Sequence, residues 1–278
     1  MNLLKIIAVS KMKKLNFAVL FAALIAMFSF SSCLDTVEDD GTRTGNYFVK
    51  VVSVMGETYF QDVQGNKFSP STPLTDVKSD MALVNLTYNV NDMQTNGGGY
   101  TTVTVNGIVY IDPVVAVGKP ETPTWNAPIA SLEGDYVKMG FWDANTLIVP
   151  VYFYYDASSE DKLAEELAKH EFEFYIVEDD SEYAEGTLSV ALRHRVNDAG
   201  EKPTRNKLGS AYKYINLSAP LMQYKQKYGS APKQVIVDIE QNQMSDSYTE
   251  GSIIKKEYTI EYLSLIHISE PTRRTPIS

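Results

Sequence analysis

Short runs of β-forming residues, separated by turn residues, fill almost the whole chain after residue 46 and constrain its fold more than any other feature. About five such runs lie in residues 47–117, and seven more lie in residues 138–262. Alternation of apolar and polar side chains within a run is typical of strands that bury one face. The run Thr187–Val196 has this pattern, with an apolar face that includes Leu188, Leu192 and His194. The sequence therefore predicts an all-β protein.

A proline-rich segment divides these runs into two groups. Residues 119–128 hold three of the chain's 12 prolines, which favour an extended connection over regular structure. We interpret this segment as a linker between two domains. The runs before it predict a small β-barrel at residues 47–118. The runs after it predict an immunoglobulin-like β-sandwich at residues 129–263, with a short crossover helix at Ser158–Lys169.

Three local patterns predict details of these domains. Asn106-Gly107 lies between two β-rich runs, and because both residue types tolerate positive φ, the pair predicts a hairpin turn. Pro150 has no N–H to donate, so the run Thr146–Tyr155 is predicted to lie at a sheet edge or to contain a bulge. The run Gly97–Gly99 precedes a strand rather than a helix, so it does not predict a phosphate-binding loop.

The N-terminus has the pattern of a bacterial lipoprotein signal peptide, which we assign to residues 1–32. Lys13 and Lys14 precede an apolar run, Leu15–Phe30, that is shorter than the roughly 20 residues of a membrane-spanning helix. Two serines and then Cys33, the only cysteine, follow this run and resemble a lipobox. We therefore predict that Cys33 is the lipid attachment residue. The alternative is a secreted protein cleaved nearby, with Cys33 left as a free thiol.

The residues that follow Cys33 predict where in the cell the protein lies. Acidic residues after the cysteine indicate a flexible tether at residues 33–46, and they resemble the surface-export signal of lipoproteins in a group of gut and oral Gram-negative bacteria. The sequence thus predicts an outer-membrane anchor with exposure at the cell surface, and a periplasm-facing protein is the alternative.

Residues 264–278 look like translated sequencing-adapter sequence, so we exclude them as a non-native tail.

The charge of the chain bounds the kinds of partner that it can bind. Lys and Arg number 25 and Asp and Glu number 35, a net charge of −10, which argues against nucleic acid because its binding depends on phosphate neutralisation. Acidic residues dominate Asp156–Glu185, and basic residues dominate Arg193–Lys233. We expect these neighbouring segments to pair within the domain. The alternative is a cationic surface that meets an anionic protein or glycan.

The sequence contains no motif of a known catalytic, cofactor or metal site. His194 lies on an apolar strand face and is predicted to be a packed or hydrogen-bonded side chain. His170 follows the predicted helix, whose C-terminal end favours a cation. Neither has a cysteine or second histidine at ligand spacing, and Glu178–Glu182 lacks the spacing and the glycine of a calcium loop. We therefore predict no catalytic residue, no cofactor and no metal.

With these features placed, the chain resembles the NigD-like lipoproteins. The segments that carry the resemblance are Ser32–Asp35, Tyr47–Val51, Leu192–His194 with residues 197–200 after it, Tyr214–Ser218 and Val235–Ile239. The resemblance implies an OB-like barrel as the first domain and a β-sandwich as the second. The family takes its name from a gene that neighbours a bacteriocin, which implies immunity or a secreted accessory role. No catalytic residues carry over.

The function expected from the sequence is therefore non-enzymatic. We expect a lipoprotein of the cell envelope that binds an unknown protein or glycan partner, with bacteriocin immunity as one form of that role. A glycan-binding accessory lipoprotein is the alternative, in which Trp125, Trp142 and Tyr152–Tyr155 would form a flat exposed platform. An envelope hydrolase with two facing carboxylates in a cleft is the third interpretation.

Replacing Cys33 with alanine should release the protein from the membrane of its native host, because the lipid is the predicted attachment. Fractionation of cells that carry Cys33→Ala and wild type measures this directly. Mass spectrometry of the membrane-bound protein provides the check, since an unmodified Cys33 peptide there contradicts the prediction.

Overall fold

The computed structural model describes residues 36–37, 41–95, 99–134, 138–177, 186–200, 203–249 and 251–262. Several predicted features lie outside the described residues: Cys33 and the leader before it, residues 34–35 and 38–40 of the tether, the acidic run Glu178–Glu182 and the tail 264–278. Within the described part, no helix has the length and the apolar character that crossing a bilayer requires.

The described residues form fourteen strands and three short helices. The first seven strands are β1 (Thr36–Val37), β2 (Thr42–Val54), β3 (Glu57–Gln61), β4 (Lys67–Pro70), β5 (Met81–Asn89), β6 (Tyr100–Pro113) and β7 (Val115–Ala116). The other seven are β8 (Gly140–Asp143), β9 (Thr146–Tyr155), β10 (His170–Ile176), β11 (Thr187–Val196), β12 (Lys207–Asn216), β13 (Gln234–Gln241) and β14 (Ile254–Glu261). The helices are α1 (Val90–Thr95), α2 (Leu163–Leu167), which continues a 3₁₀ turn at Glu160–Lys162, and α3 (Ser218–Tyr228).

The first unit is a closed five-stranded barrel. Strands β2, β3, β4, β6 and β5 pair in that order, and β5 pairs with β2 to close the ring. Strands β4 and β6 run parallel, and the other neighbours run antiparallel, which is the strand arrangement of an OB-like barrel. Its core holds the fully buried side chains of Phe60, Phe68 and Leu86. The predicted all-β fold with an OB-like first domain is confirmed.

The second unit is a sandwich of two sheets. Strands β8, β9 and β12 form one sheet, and β14, β13, β11, β10 and β7 form the other in that order. The two inner faces share one apolar core, in which Leu147, Leu192 and Ile239 are fully buried. All seven predicted strands of this unit are present. Strand β11 runs parallel to β13, so the sheet is mixed rather than purely antiparallel.

The two units share a sheet. The end of β6 pairs in parallel with β12, where Asp112 lies opposite Lys213, and β7 pairs with β10 although its residues fall within the predicted barrel segment 47–118. A separate buried cluster, formed by Met81, Ile111 and Ile148, fills the space between the units. Hydrogen-bonded strands and buried apolar contacts therefore join the barrel to the sandwich.

Two predicted details of the first unit are wrong. Asn106-Gly107 does not form a hairpin turn, because β6 continues through it as one strand. The register against β5 shifts there, so Asn106 is the extra residue of a β-bulge, and its amide donates to Asn85 and Thr87. The tether is shorter than predicted, since β2 begins at Thr42 and residues 42–46 pair with β5.

The second unit follows the prediction more closely. The crossover helix spans residues 160–167 in two pieces, rather than the predicted Ser158–Lys169. Helix α3 ends at Tyr228 and is capped by Gly229, which has a φ of 75°. The predicted edge position of the strand that contains Pro150 is wrong, because β9 lies between β12 and β8. Proline is tolerated there because the pairing with β8 reaches only Ile148, so no N–H is needed at residue 150 on that side.

Replacing Ile111 with alanine should destabilise the whole protein by about 2–5 kcal/mol, because it leaves a cavity in the cluster that joins both units. Urea denaturation measures the free energy of unfolding. Ile254→Ala is the matched control, since Ile254 is 59% exposed and should cost less than about 0.5 kcal/mol. Equal effects of the two substitutions would contradict a packed junction.

Candidate functional site

The structure brings the two predicted histidines together. Strands β10 and β11 pair antiparallel, with Phe172 opposite His194 and His170 opposite Val196, so the two histidines are diagonal neighbours on one face. His170 Nδ1 lies 2.9 Å from His194 Nε2, and the rings stack with centroids 5.1 Å apart. Both side chains are buried. The prediction that His194 is packed and hydrogen-bonded is correct.

The hydrogen bonds fix which ring nitrogens carry protons. His194 Nδ1 lies 3.0 Å from the Pro128 carbonyl, which can only accept, so this nitrogen donates. A neutral His194 then accepts at Nε2, and His170 Nδ1 donates to it. His170 Nε2 is left as an acceptor, 3.4 Å from Oε1 of Glu166. This nitrogen is therefore the place where the pair takes up its first proton.

A buried ion-pair network surrounds His170. Glu166, from α2, accepts from Arg205 Nε at 2.7 Å and from Lys169 Nζ at 3.0 Å. Arg205 also donates from both terminal nitrogens to Asp198, at 2.6 and 3.0 Å. Arg205 is 3% exposed and Glu166 is 5% exposed. One arginine thus joins the helix before β10 to the loop after β11.

Burial and neighbouring charges set the protonation of these groups. Burial, together with the Arg205 charge, lowers the pKa of His170 to about 4 despite the opposing Glu166 carboxylate. Burial and the neighbouring His170 lower the pKa of His194 to about 3. Burial alone would raise the pKa of Glu166, but hydrogen bonds from Arg205, Lys169 and the Asp156 amide outweigh it and lower the pKa to about 2. At neutral pH the histidines are neutral and the carboxylate is charged.

A cavity of about 170 Å³ lies beside this network. Its walls include His194, Arg205, Asp198, Tyr154 and the linker residue Asn126. Two polar side chains that line this cavity are already bound within the protein. His194 is hydrogen-bonded at both ring nitrogens, and Arg205 is paired with the Glu166 and Asp198 carboxylates. No group of three or more His, Cys, Asp or Glu residues within the described ranges could hold a metal ion.

The network does not have the properties of a hydrolytic site. A glycosidase needs one carboxyl group that stays protonated near neutral pH, which requires a raised pKa. The Arg205 guanidinium lowers the pKa of Asp198, and the pKa of Glu166 is lowered as well. Glu166 and Asp198 are therefore both charged, and each is bound to the same arginine.

The aromatic residues proposed for a glycan platform do not share one surface. Trp125 stacks on Tyr175, with centroids 5.8 Å apart, beneath the Arg193 guanidinium, so it packs the linker against the outer face of the five-stranded sheet. Trp142 donates from Nε1 to the Phe48 carbonyl at the junction of the two units. Phe153 and Tyr155 belong to the sandwich core. The flat platform predicted from the sequence is wrong.

The two oppositely charged segments pair in part. Arg195 pairs with Glu171 directly across the β10–β11 ladder, and Arg205 pairs with Glu166. Arg193 instead pairs with Asp238 on β13 at 2.6 Å, beneath Trp125, so the second face of β11 is buried as well. Lys213 pairs with Asp112 of the barrel at 2.8 Å. The basic residues on strands and the following loop are largely neutralised within the protein.

Sequence reasoning missed the meeting of the two histidines. The sequence pattern gives no link between the two histidines, and it predicts His170 directly after a helix, whereas His170 is the first residue of β10. The pairing register of β10 and β11 brings the side chains together, and a long connection between these strands leaves that register unspecified by turn chemistry. One signal in the sequence does indicate that His170 faces the core: it alternates with Phe172 and Phe174 on one face of the strand, and all three are buried.

Comparison with known proteins was made for the whole chain. No protein-family model and no curated protein matches it. A solved structure from Bacteroides fragilis, described as a "putative lipoprotein", matches with a TM-score of 0.67 and 26% identity, over 79% of this chain and 98% of that chain. This chain is a structural relative of that protein.

Two further solved structures match at lower identity. A Bacteroides vulgatus protein of unknown function has a TM-score of 0.50 and 14% identity, over 82% of this chain and 94% of that chain. A NigD-like immunity protein of Bacteroides caccae has a TM-score of 0.44 and 14% identity, over 77% of this chain and 95% of that chain. The descriptions of these three structures name no enzyme. The predicted resemblance to lipoproteins is confirmed by the Bacteroides fragilis structure.

The free energy of unfolding should fall as the pH drops below about 6.5, because the unfolded chain then binds protons that the folded histidines do not. The loss continues toward pH 4, where His170 begins to bind its proton. It should reach about 5 kcal/mol by pH 4.5, because each histidine contributes about 1.36 kcal/mol per pH unit over about two units. The lowered pKa of Glu166 acts in the same direction only below about 4.5.

Urea denaturation between pH 7.5 and 4.5 measures this dependence. The double variant His170→Phe, His194→Phe should show a much shallower dependence, since it removes both groups. NMR titration of the imidazoles is the independent check. An imidazole of His170 or His194 that titrates near 6.5 would contradict the buried, neutral pair.

Proposed function

We propose that this chain is a non-enzymatic lipoprotein, anchored to the outer membrane through a lipid on Cys33 and exposed at the cell surface, where it binds a protein or glycan partner. The lipoprotein description of its Bacteroides fragilis relative supports a membrane-anchored envelope protein. Eight residues separate Cys33 from β2, which would hold the barrel within about 30 Å of the membrane.

One observation carries the non-enzymatic part of the proposal: the buried polar network is internally satisfied. A catalytic acid, base or nucleophile needs a pKa matched to its task and access to substrate. Here the carboxylates are bound to Arg205, and His194 is bound at both ring nitrogens. Such a network fixes the loop after β11 against α2 and the linker, which is a structural role.

Bacteriocin immunity is one form that the binding role takes in this proposal. It rests on the resemblance to NigD-like lipoproteins, whose solved relative from Bacteroides caccae is described as an immunity protein. An immunity protein acts by binding, and it needs a rigid surface rather than a reactive site. The shared sheet and the packed junction between barrel and sandwich would supply such a surface.

A glycan-binding accessory role is the second candidate. The cavity beside α3, which is lined by tyrosines and a buried serine, favours it. This role also needs the lipid anchor and surface exposure, so both candidates share the first test.

On intact cells of the native host, external protease should digest the wild-type protein, because the proposal places the folded units outside the outer membrane. A periplasmic protein and a cytoplasmic protein, probed in the same cells, are the controls for membrane integrity. Survival of the lipidated protein in intact cells, with digestion only after lysis, would contradict surface exposure.

The immunity form has its own test in a deletion strain. This strain should be inhibited by culture filtrates of related bacteriocin producers that the parent resists. Wild type should restore resistance, and Cys33→Ala should not. Unchanged resistance of the deletion strain to every filtrate that inhibits an unrelated indicator would count against immunity and favour the glycan role.

A further inference from the structure

The pair Asn106-Gly107 lies within β6, although neither residue type is favoured in strands. In the part of the chain that the structure describes, Met55 is the only residue other than glycine with a positive φ, so Asn106 does not have the conformation of a tight hairpin turn. Asn106 is exposed and lies outside the apolar core of the barrel. The pair therefore contributes neither a turn nor buried apolar surface, but it carries a specific covalent reactivity.

An asparagine that is followed by glycine loses ammonia without an enzyme. The backbone nitrogen of Gly107 gives its proton to solvent and attacks Cγ of Asn106, which closes a succinimide ring. The Cγ–Nδ2 bond then breaks, and the leaving nitrogen takes up a proton from water and departs as ammonia. Water opens the succinimide at either carbonyl, so the products are aspartate and isoaspartate. Glycine favours the attack because it has no Cβ to hinder the close approach of its nitrogen.

Hydrogen bonds to β5 hold the Asn106 amide in the folded barrel. Its Nδ2 donates to Oδ1 of Asn85 at 2.8 Å and to Oγ1 of Thr87 at 2.9 Å. The same acceptors are themselves bound to β2, since Asn85 Nδ2 donates to Oδ1 of Asn46 at 2.9 Å and Thr87 Oγ1 lies 2.8 Å from Oγ1 of Thr44. We call these five side chains the polar ladder. Nδ2 of Asn106 must give up both of its hydrogen bonds before it leaves as ammonia.

From this arrangement we propose that Asn106-Gly107 is a site of spontaneous deamidation, and that the polar ladder keeps the reaction slow while the barrel is folded. The side chain is released for attack when the pairing of β5 and β6 opens locally, and such openings occur in folded proteins at a free-energy cost that depends on the region. The reaction needs no reactant other than water. The extent of modification therefore records how long this part of the barrel has been open.

Strand β6 is the element that the modification would affect. It pairs with β4 and β5 in the barrel and with β12 of the second unit. Isoaspartate lengthens the main chain by one carbon atom, at a point where the register against β5 already shifts. The residues after it, which include Ile111 of the buried junction cluster, would move relative to their partners. The isoaspartate form should therefore be less stable than the aspartate form, which keeps the normal backbone.

Peptide mapping of the full chain by mass spectrometry tests the proposal. The protein is kept either folded or unfolded in urea, in the same mildly alkaline buffer, and the mass of the peptide that contains Asn106 is followed over time. Asn96-Gly97, the second Asn-Gly pair of the sequence, is the internal reference in urea. In urea both pairs should convert at similar rates. In the folded protein Asn106 should convert at least about tenfold more slowly than in urea, because only the opened fraction reacts.

Two outcomes of this experiment would overturn the proposal. If Asn106 stays unmodified in urea while Asn96 converts, residues 106–107 are not a deamidation site. If Asn106 converts as fast in the folded protein as in urea, the barrel does not protect it.

The role of the polar ladder has its own variant. Thr87→Val removes one of the two acceptors of the Asn106 amide and keeps a β-branched side chain in the strand. It should raise the rate in the folded protein several-fold and leave the rate in urea unchanged. Thr58→Val is the matched control, because it removes a hydroxyl that is bonded to Ser53 at 3.0 Å elsewhere on the same barrel. Equal acceleration by the two variants would contradict protection by the ladder.

Thermal melting tests the effect on β6. The isoaspartate form is separated from aged protein by ion exchange, and Asn106→Asp, which carries the same charge on a normal backbone, is its matched control. The isoaspartate form should melt at a lower temperature than Asn106→Asp. Equal melting temperatures would contradict the predicted disturbance of β6. None of these measurements depends on the lipid anchor or on a binding partner, so their outcome is independent of the proposed function.

Discussion

The buried guanidinium of Arg205 fixes the arrangement around which the second unit is organised. Arginine stays charged in proteins, so a side chain that is 3% exposed must find carboxylates. Glu166 and Asp198 meet this need, and they hold α2 and the loop after β11 in place. Removing one partner of a buried pair typically costs about 3–5 kcal/mol, because the other charge stays buried. The same charge helps to keep His170 neutral, which preserves the hydrogen-bond chain to His194 and the linker.

Much of the fold follows from the period of two in the sequence. In β5 the buried and half-buried positions alternate from Leu83 onward, as one-sided burial requires. Pattern reasoning failed where a local turn preference competed with a long strand pairing. At Asn106 the strand gains more from continuing, because β6 pairs with β5, β4 and β12 along its length. The extra residue is absorbed in a bulge whose side chain is hydrogen-bonded to the neighbouring strand. Nor did the pattern reveal that β6 and β12 join the two units, since a pairing of two residues leaves no periodic trace.

The candidate site was predictable only residue by residue. The apolar face of β11 correctly placed His194 in the interior. Its partner could not be identified, because the meeting with His170 depends on the register of two strands that a long segment connects. Within the basic segment Arg193–Lys233, Arg205 has no pattern that distinguishes it from the other cations, yet it is among the most buried charged residues of the described chain. A buried charged residue is recognised by its ion-pair partners, and only the folded structure shows which residues those are.

The pairing of the acidic and basic segments also depends on which strands lie next to each other. The acidic and basic segments pair where strands bring them opposite one another, as with Glu171 and Arg195 in the β10–β11 ladder. Helix α3 has no such ladder, because its outer face lies on no sheet. Among the residues that the structure describes, Lys225 on that face and Lys233 in the turn after α3 therefore have no ion-pair partner. The pairing that the sequence predicts is therefore seen where strand register enforces it, in the β10–β11 ladder and between β6 and β12.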